Sequence, residues 1–395
     1  MTVIRLPQAW TWEDVLRRLA AQLDLKSSSR TTGAIRRKRV VTNGGQLLRL
    51  VLAYVLSGLS FRSTAAWAEA GAHASLSDVA LLKRMRRCGP WLRYLVSTLM
   101  RLTSPAPSPD DERRIVAVDA TMICVPGDKQ NYDLLHTAYD VTAQCFQSTE
   151  ITDRHTAERL DVGKIERDEI RLGDRAYARW RDLSTVIEAG ADYVVRLSAT
   201  ALKLCTVSGE PISRAVWCKL AETAGVQDVT LAIHASKGAA QMLARLIVLP
   251  LSQEKAAAAR RLMRKNACKW GYTPSQDALV TAGCLMLITS LPRGASYSLP
   301  PGLTRGAERV LTLYRRRWQV ELAFKRLKSL IGLEDLRVHD SELVAVWIHA
   351  ILLVALLIDN ERPSLHRERP VSPRWAPRVG SQFRSGDSSL CYASR

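Results

Sequence analysis

Negative charge is scarce in this sequence. Its 395 residues include 57 Lys and Arg but only 38 Asp and Glu, so the formal net charge at pH 7 is +19. Apolar residues make up 47% and charged residues 24% of the chain, a globular balance that excludes collagen-like, coiled-coil and wholly disordered proteins. So large an excess of positive charge on a globular chain indicates a polyanionic partner.

Paired cysteines are also lacking. The eight cysteines lie far apart, without a Cys-x-x-Cys pair or paired histidines, so neither a zinc site nor a disulfide framework is indicated. They are Cys88, Cys124, Cys145, Cys205, Cys218, Cys268, Cys284 and Cys391. This cysteine usage fits a reducing cytoplasm, which is the expected location of the protein.

No apolar run reaches the length of a membrane span. The longest, residues 343–358, contains 16 residues and includes His349, whereas a span needs about 20. The N-terminal segment lacks the apolar core of a secretory peptide and contains Glu13 and Asp14. We therefore expect a buried helix at 343–358, no secretory peptide and no membrane partner.

At roughly 150 residues per domain, the length predicts two or three domains. Residues 1–102 have apolar positions at three- and four-residue spacing, which predicts an all-helical domain. The predicted helices are 12–23, 46–56, 61–70, 77–87 and 91–102. Residues 26–39 lack an apolar face and are expected to form a solvated basic loop.

Two segments are expected to lie outside the packed domains. Residues 103–112 place Pro105, Pro107 and Pro109 at alternate positions, which blocks a helix and predicts an extended linker. Residues 359–395 are rich in Arg, Pro and Ser, and are expected to be a disordered tail.

After the linker the pattern changes from helical to strand-like. Short β-branched runs separated by turn-sized gaps predict strands. The predicted strands are 114–126, 134–142, 145–153, 169–174 and 192–198. Helices predicted at 156–165 and 178–188 alternate with the later strands, so the expected fold class is α/β with a mixed sheet.

This α/β core is expected to be interrupted. Residues 113–199 form its first part, and residues 200–283 lose the alternation and predict a mostly β insertion. The second part, residues 284–358, begins with a strand and contains one long helix over 306–333.

The long predicted helix separates polar from apolar residues. At 100° per residue, Tyr314, Arg317 and Lys328 lie with Glu321 in an arc of about 60°, and we call these four residues the ridge. An apolar stripe beside the ridge can pack on a sheet. The alternative is a solvated face with an i, i+4 ion pair between Arg317 and Glu321.

Two other carboxylates interrupt or end apolar strands. Asp119 lies within IVAVDATMICV, where an ionised carboxylate is costly unless a cation or metal neutralises it. Asp174 ends the strand IRLGD. The alternatives are an edge-strand position for Asp119 and a helix cap for Asp174. With Glu321, the two supply the oxygen ligands that a magnesium pair needs for phosphodiester cleavage.

The ridge reads Y-x2-R-x3-E-x6-K. With its surroundings, YRRRWQVELAFKRLKSLIGLEDLRV, it resembles the signature of bacterial insertion-sequence transposases with a ribonuclease H-like catalytic domain. VDAT at Asp119 and LGDRAYA at Asp174 resemble that family's blocks for its first and second aspartates. The long gap between Asp174 and Glu321 matches members with an insertion in the core, and the resemblance covers roughly residues 50–355.

The resemblance implies a DDE transposase that moves its element by cut and paste. Metal-dependent phosphodiester hydrolysis at the element ends is followed by strand transfer into target DNA. It implies that Asp119, Asp174 and Glu321 are the catalytic metal ligands for two Mg²⁺ ions, with Mn²⁺ as a substitute. The expected DNA contacts of the catalytic domain are Tyr314, Arg317, Lys328, Lys325 and Arg175.

The implied partners are the terminal repeats of the element, target DNA and a second copy of the chain in a synaptic homodimer, without a small-molecule substrate. One position departs from some members of the family, where a tryptophan stacks on a flipped base and this sequence has Leu285. Trp217 or Trp270 could replace it, although burial in a core is the commoner role. The alternative to an active enzyme is a catalytically inactive or domesticated DNA-binding protein derived from such a transposase.

The helical domain is expected to bind the element ends. FRSTAAWAEAG and the helix that follows resemble a helix-turn-helix reader, with Ser75-x-x-Asp78 spaced like a capping box. The expected contacts are Lys83, Arg84 and Arg87. The alternative is an αα-hairpin with a solvated basic face. The RRKR run at 36–39 is expected to contact phosphates without reading sequence.

Overall fold

The computed structural model describes most of the chain between residues 12 and 360. The described ranges are 12–37, 39–103, 113–125, 128–198, 200–234, 241–293, 306–329, 332–333 and 336–360. The expected linker, apart from Thr103, and the expected tail from residue 361 lie outside these ranges and stay predictions. The described residues up to Asp359 belong to one compact unit.

Six helices precede the sheet. They are α1 Trp12–Gln22, α2 Leu25–Thr31, α3 Gly44–Ser57, α4 Phe61–Ala70, α5 Asp78–Arg86 and α6 Gly89–Thr103. Five of them lie where the apolar spacing predicted helices. α5 begins with a different cap than predicted, because the Ser77 hydroxyl accepts the Ala80 N–H at 3.2 Å while Ser75 donates to Glu69 at 2.9 Å.

Helix α2 corrects the prediction of a solvated loop over residues 26–39. Asp24 caps it by accepting the Ser27 N–H at 2.9 Å, and Ser28 and Ser29 are buried. The Ser29 hydroxyl donates to the carbonyl of Lys26, and Ser28 accepts the indole N–H of Trp91 at 2.9 Å. Serine hydroxyls bonded in this way can be buried at little cost, which apolar periodicity does not detect.

Nine strands in the described ranges form a single sheet. They are β1 Ile115–Val125, β2 Asp128–Asp140, β3 Cys145–Asp153, β4 Ile170–Gly173, β5 Asp192–Arg196, β6 Leu204–Cys205, β7 Gln227–Ile233, β8 Met242–Pro250 and β9 Cys284–Thr289. Their order is β3-β2-β1-β4-β5-β9-β8-β7-β6. β1 pairs parallel with β4 and β4 parallel with β5, whereas the other pairings are antiparallel. The predicted α/β class with a mixed sheet is therefore confirmed.

Seven helices accompany or follow the strands. They are α7 Trp180–Glu188, α8 Arg214–Ala224, α9 Gln253–Lys269, α10 Gln276–Thr281, α11 Ala307–Arg316, α12 Trp318–Ser329 and α13 Ser341–Asn360. The segment 200–283 holds α8, α9 and α10 besides three strands, so it is more helical than the mostly β insertion predicted. The single helix predicted over 306–333 is two helices, α11 and α12, with a break at Arg317.

A helix was also predicted at 156–165, and it is not formed. These residues, all of them described, make turns, bends and irregular chain beside β4. Arg171 on β4 holds them: its guanidinium donates to the carbonyls of Leu160, Val162 and Lys164 and pairs with Glu169 at 2.6 Å. Those carbonyls bond to a side chain instead of to amides one helical turn later, and this tertiary contact overrides the local pattern.

Apolar clusters cover both faces of the sheet. Successive strand residues point to opposite faces, and accordingly Ala117 and Leu172 belong to one cluster whereas Val116 and Val118 belong to the other. The first cluster extends from the N-terminal helices to α13, and α6 packs against β3. The N-terminal helices and the sheet therefore share one core; whether residues 1–102 form a separate domain stays a prediction.

Helix α13 contains the apolar run that was expected to be buried. By length and composition Ser341–Asp359 could cross a membrane, but 78% of its apolar window is buried inside the protein. Its one histidine, His349, donates its Nδ1–H to the Ala345 carbonyl at 2.6 Å, and burial lowers the pKa of His349 to about 4. The imidazole is therefore neutral at pH 7, which permits its place in a core helix.

The buried Arg171–Glu169 pair generates a test of the fold. Arg171→Met should lower the free energy of unfolding by about 3–5 kcal/mol, because it leaves the Glu169 carboxylate buried without its cation and three carbonyls without a donor. Urea unfolding followed by circular dichroism measures this. Arg264→Met on the exposed face of α9 is the control, and an equally small effect of both would contradict the account.

Candidate active site

Two of the predicted carboxylates lie side by side on neighbouring strands, at the point where β4 ends. β1 and β4 are parallel, with Ala117 opposite Leu172. Continuing this register by two residues places Asp119 level with Asp174, which directly follows β4. β1 lies between β2 and β4, so the edge-strand alternative for Asp119 is wrong. The parallel pairing thus brings both aspartates together where β4 ends, although β1 itself continues to Val125.

Asp119 is held in a largely buried position. Its side chain is 20% exposed, and its Oδ1 accepts the N–H of Ala120 at 2.9 Å. Burial raises the pKa of Asp119 to about 7; Arg317 and the Ala120 N–H oppose the shift, while Glu321 and Glu158 add to it. A carboxyl in this position titrates near neutral pH, and its ionised form depends on nearby positive charge.

Arg317 supplies that charge. Its Nη1 donates to Asp119 Oδ2 at 3.3 Å, and its Nη2 donates to Glu321. The side chains of Arg317 and Glu321 are only 13% and 23% exposed, so the predicted alternative of a solvated ion pair is wrong. Burial lowers the pKa of Arg317, but Tyr314, Asp119 and Glu321 outweigh it and raise the pKa overall. The guanidinium is therefore permanently charged between two carboxylates.

Tyr314 connects the third carboxylate to this group. Its hydroxyl donates to Asp174 Oδ1 at 3.3 Å, and the Arg317 guanidinium lies 5.7 Å from the centre of its ring. Burial raises the pKa of Tyr314 to about 12, so the phenol remains protonated and can donate at neutral pH. Arg196 on β5 lies 3.9 Å from the same oxygen of Asp174. Asp174 makes no side-chain cap bond to the 3₁₀ helix Arg175–Tyr177, so the cap alternative fails.

The break between α11 and α12 lies at the centre of this arrangement. The Arg317 N–H bonds to the Tyr314 carbonyl at 3.0 Å and the Val320 N–H to the Arg317 carbonyl at 3.1 Å, both in the i to i+3 pattern of a 3₁₀ turn. α11 packs on β5 and α12 on β1, so the break lets successive helices follow two strands of a twisted sheet. Arg317 keeps the backbone angles of a right-handed helix through the break. Tyr314 and Arg317 therefore still face the aspartates, and Glu321 still faces Arg317.

The other predicted DNA contacts do not belong to this cluster, and most of them are exposed. Arg175 is exposed beside Asp174, Lys325 is exposed on α12, and Lys328 is half-buried near the end of α12. Lys83 and Arg84 are on α5 and Arg87 directly follows it, and all three line a separate basic cavity. The structure therefore brings together the three carboxylates with Tyr314 and Arg317, and it distributes the remaining cations elsewhere.

Two residues near the carboxylates were missed by the sequence reasoning. Glu158 is half-buried and interacts electrostatically with Asp119 and Asp174; burial raises its pKa, and Arg179 opposes the shift. Tyr177 is fully buried, interacts with Asp119 and Glu158, and its hydroxyl has no hydrogen-bond partner in the described structure. Glu158 lies in a charged, irregular stretch without periodicity, so no pattern in the sequence marks it.

The tryptophans expected to be buried differ. Trp217 packs against the second apolar cluster, as expected, but Trp270 is 69% exposed, so a core role for Trp270 is wrong. The backbone N–H of Trp270 caps the C-terminus of α9 by donating to the Ala267 carbonyl. The ammonium of Lys269 lies 5.6 Å from the centre of the Trp270 ring.

The carboxylates fit a divalent metal by chemistry and direction. Among the described residues no three His, Cys, Asp or Glu side chains stand close enough together to form a finished metal site. Asp119 and Glu321 nevertheless both bond to the same guanidinium, so both point at one position that a cation occupies. Three carboxylates provide the hard oxygen donors that Mg²⁺ selects. The Nε of Arg317 is buried without a hydrogen-bond partner, so the guanidinium is incompletely hydrogen-bonded in this position.

The raised pKa of Asp119 generates a prediction about stability. The folded chain binds a proton here that the unfolded chain releases above its ordinary pKa, 3.8, so the stabilisation is present at low pH and is lost as pH rises through about 7. In EDTA, Asp119→Asn should therefore have a higher melting temperature than the wild type at about pH 8.5. The increase should be roughly 2–4 °C for each kcal/mol gained in the free energy of unfolding, and it should shrink at about pH 5.5.

Differential scanning calorimetry at both pH values tests this prediction. Asp277→Asn makes the same chemical change on an exposed residue of α10 and serves as the control. A difference between Asp119→Asn and the wild type that stays constant with pH would show that Asp119 is ionised throughout this range.

Comparison with known proteins identifies the family of the chain. Residues 110–357 match the family model of the transposase DDE domain. The chain is 37% identical over 360 residues to the putative transposase InsL for insertion sequence element IS186A of Escherichia coli K12, covering 90% of this chain and 95% of the relative. It is 37% identical over 361 residues to the Escherichia coli transposase for insertion sequence element IS421, with the same coverage. The chain therefore belongs to the DDE transposases of insertion sequences, enzymes that cut DNA and transfer its strands.

Proposed function

We propose that this transposase cuts and pastes its element with Asp119, Asp174 and Glu321 as the ligands of two Mg²⁺ ions. The observation that carries the proposal is the shared position of Arg317, which bonds to Asp119 and Glu321 and contacts the tyrosine that bonds to Asp174. A buried position that three carboxylates supply with negative charge has the donor set for hard divalent cations. Mn²⁺, which accepts the same ligands, is expected to substitute.

Held by Asp119, Asp174 and Glu321, a metal pair would supply an activated water and charge stabilisation for the leaving oxygen of a phosphodiester. The protein's own residues keep the ligands in place. The Ala120 N–H orients Asp119 by bonding to Oδ1, and the Tyr314 hydroxyl orients Asp174. Because Tyr314 stays protonated at neutral pH, it donates to Asp174 without competing with it for a metal.

Arg317 has a second role in this proposal. A guanidinium binds carboxylates and phosphates with the same fork of donors, so Arg317 can exchange Asp119 and Glu321 for a phosphate of the element end. In the absence of DNA it neutralises the two carboxylates. In its presence it would hold the DNA next to the groups that cut it.

Lys325, Lys328 and Arg175 would extend this contact along the backbone of the same DNA. The substrate classes are the terminal repeats of the element and the target DNA, in a synaptic complex formed by two copies of the chain. The excess of positive charge in the sequence supports polyanion binding in general. The proposed place of action is the cytoplasm, at the bacterial chromosome.

The direct test of this function is cleavage of a duplex that carries the element's own end. Asp174→Asn should reduce Mg²⁺-dependent cleavage by more than the roughly 10–100-fold that loss of an outer-shell residue costs, because Asp174 would be a ligand itself. Binding to the same duplex should stay near the wild-type level, because cations supply most of the affinity. Undiminished cleavage by Asp174→Asn, or a wild type that binds but never cuts, would contradict the proposal.

The cations of α12 generate a second prediction. Lys328→Ala should weaken binding to the end duplex and lower the salt slope of log K by about 0.9, the value for one lost phosphate contact. Lys219→Ala on the exposed face of α8 is the control for loss of one charge. A salt titration by fluorescence anisotropy measures both; identical slopes for the Lys328 variant and the wild type would remove Lys328 from the interface.

A further inference from the structure

A basic cavity lies in the N-terminal helical region, between the chain before α3 and helix α5. Its volume is about 420 Å³, and its lining residues are Ala34, Arg36, Arg37, Arg39, Ala80, Lys83, Arg84 and Arg87. Six of the lining residues are cationic and none is acidic. The RRKR segment and the second helix of the predicted reader, which the sequence treats as separate, thus contribute to one surface.

The spacing on α5 explains one wall of the cavity. Ala80, Lys83, Arg84 and Arg87 recur at three- and four-residue intervals and therefore share one face of the helix. A different face packs into the core through buried residues, which are Leu81, Met85 and, just after the helix, Cys88. Because alanine has no long side chain, position 80 leaves room for a ligand to approach the helix between the cations.

The other wall is fixed to the protein. Ala34 and Ile35 are buried, the Ile35 N–H bonds to the Ser29 carbonyl at 2.8 Å, and Val41 is fully buried. Arg36, Arg37 and Arg39 thus project from a segment anchored at both ends, not from a free arm. Cations held in place before binding lose less conformational entropy when a ligand arrives.

Among the described residues, these charges have no carboxylate partners. In the described ranges no ion pair joins any of the six cations to a carboxylate, whereas Arg86, on another face of α5, pairs with Asp340 at 2.8 Å and Glu342 at 3.9 Å. Arg84 is half-buried, and burial lowers its pKa, with a further contribution in the same direction from Arg87. Bringing like charges together costs free energy, which an anionic ligand would recover.

We propose that this cavity clamps consecutive backbone phosphates of duplex DNA, so that α5 attaches the chain to DNA without reading base edges. A phosphodiester carries one charge, so six converging cations match several neighbouring phosphates better than a single anion. The connection 71–77 between α4 and α5 is also longer than the 3–4 residues that are typical of a helix-turn-helix motif. The inference rests on the proposed function for the identity of the DNA. It replaces the prediction of a helix-turn-helix reader with one of backbone attachment through the same residues, Lys83, Arg84 and Arg87.

The experiment compares two full-length variants in EDTA, where no cleavage occurs. Arg36→Gln/Arg84→Gln removes one cation from each wall, and Arg62→Gln/Arg101→Gln removes two exposed charges from α4 and α6. Fluorescence anisotropy measures binding to a duplex with the element end and to a shuffled duplex of equal length, over a range of salt concentrations. Thermal melting confirms that both variants fold.

We expect Arg36→Gln/Arg84→Gln, called the pocket variant, to lose affinity for both duplexes by the same factor, on the order of 10-fold or more. Its salt slope should be lower by about 1.8, the value for two lost phosphate contacts. The control should keep the wild-type slope. A loss confined to the element end would assign base reading to α5, and no loss, or an equal loss in the control, would show that the cavity binds no DNA. Each of these results overturns the inference.

The outcome is independent of the catalytic proposal. If the pocket variant binds as tightly as the wild type while the wild type still cuts DNA with Mg²⁺, the inference fails and the proposed function stands. If the wild type never cuts DNA and the pocket variant loses affinity for both duplexes, the cavity binds DNA and the catalytic proposal fails.

Discussion

A buried carboxylate in the middle of a sheet needs a positive charge beside it, and the rest of this site follows from that need. Asp119 lies on a central strand, where its pKa is raised to about 7 by burial. Arg317 lies between Asp119 and Glu321 and lowers the cost of having both ionised. Arg317 reaches that position from the break directly before α12, the helix that packs on β1.

The sheet order explains why this arrangement forms in one place. The parallel pairing of β1 with β4 and of β4 with β5 places Asp119, Asp174 and Arg196 near the carboxyl ends of β4 and β5. The irregular chain before β4 is fastened by the buried Arg171 and carries Glu158 to the same region. Four carboxylates and two arginines therefore lie in the same region and interact electrostatically, a concentration of charge that is typical of functional sites.

The sequence predicts the most strongly patterned parts of this structure. Asp119 is recognisable because it interrupts an apolar strand, and the ridge because its residues recur on one helical face; both patterns are local. The break at Arg317 is not predictable from the arc, because it depends on α11 and α12 packing on different strands. The burial of Ser28 and the fastening of residues 160–164 by Arg171 were missed for the same reason, since both depend on partners distant in sequence.

The central claim, that Arg317 takes the position of the metal charge between Asp119 and Glu321, is tested most directly by metal binding without DNA. Mn²⁺ binding to the wild type, Arg317→Gln and Asp119→Asn is measured by electron paramagnetic resonance at about pH 8.5, above the pKa of Asp119. Arg317→Gln should bind Mn²⁺ more tightly than the wild type, because a competing cation has been removed, and Asp119→Asn should bind it more weakly. Weaker Mn²⁺ binding by Arg317→Gln than by the wild type would contradict the account.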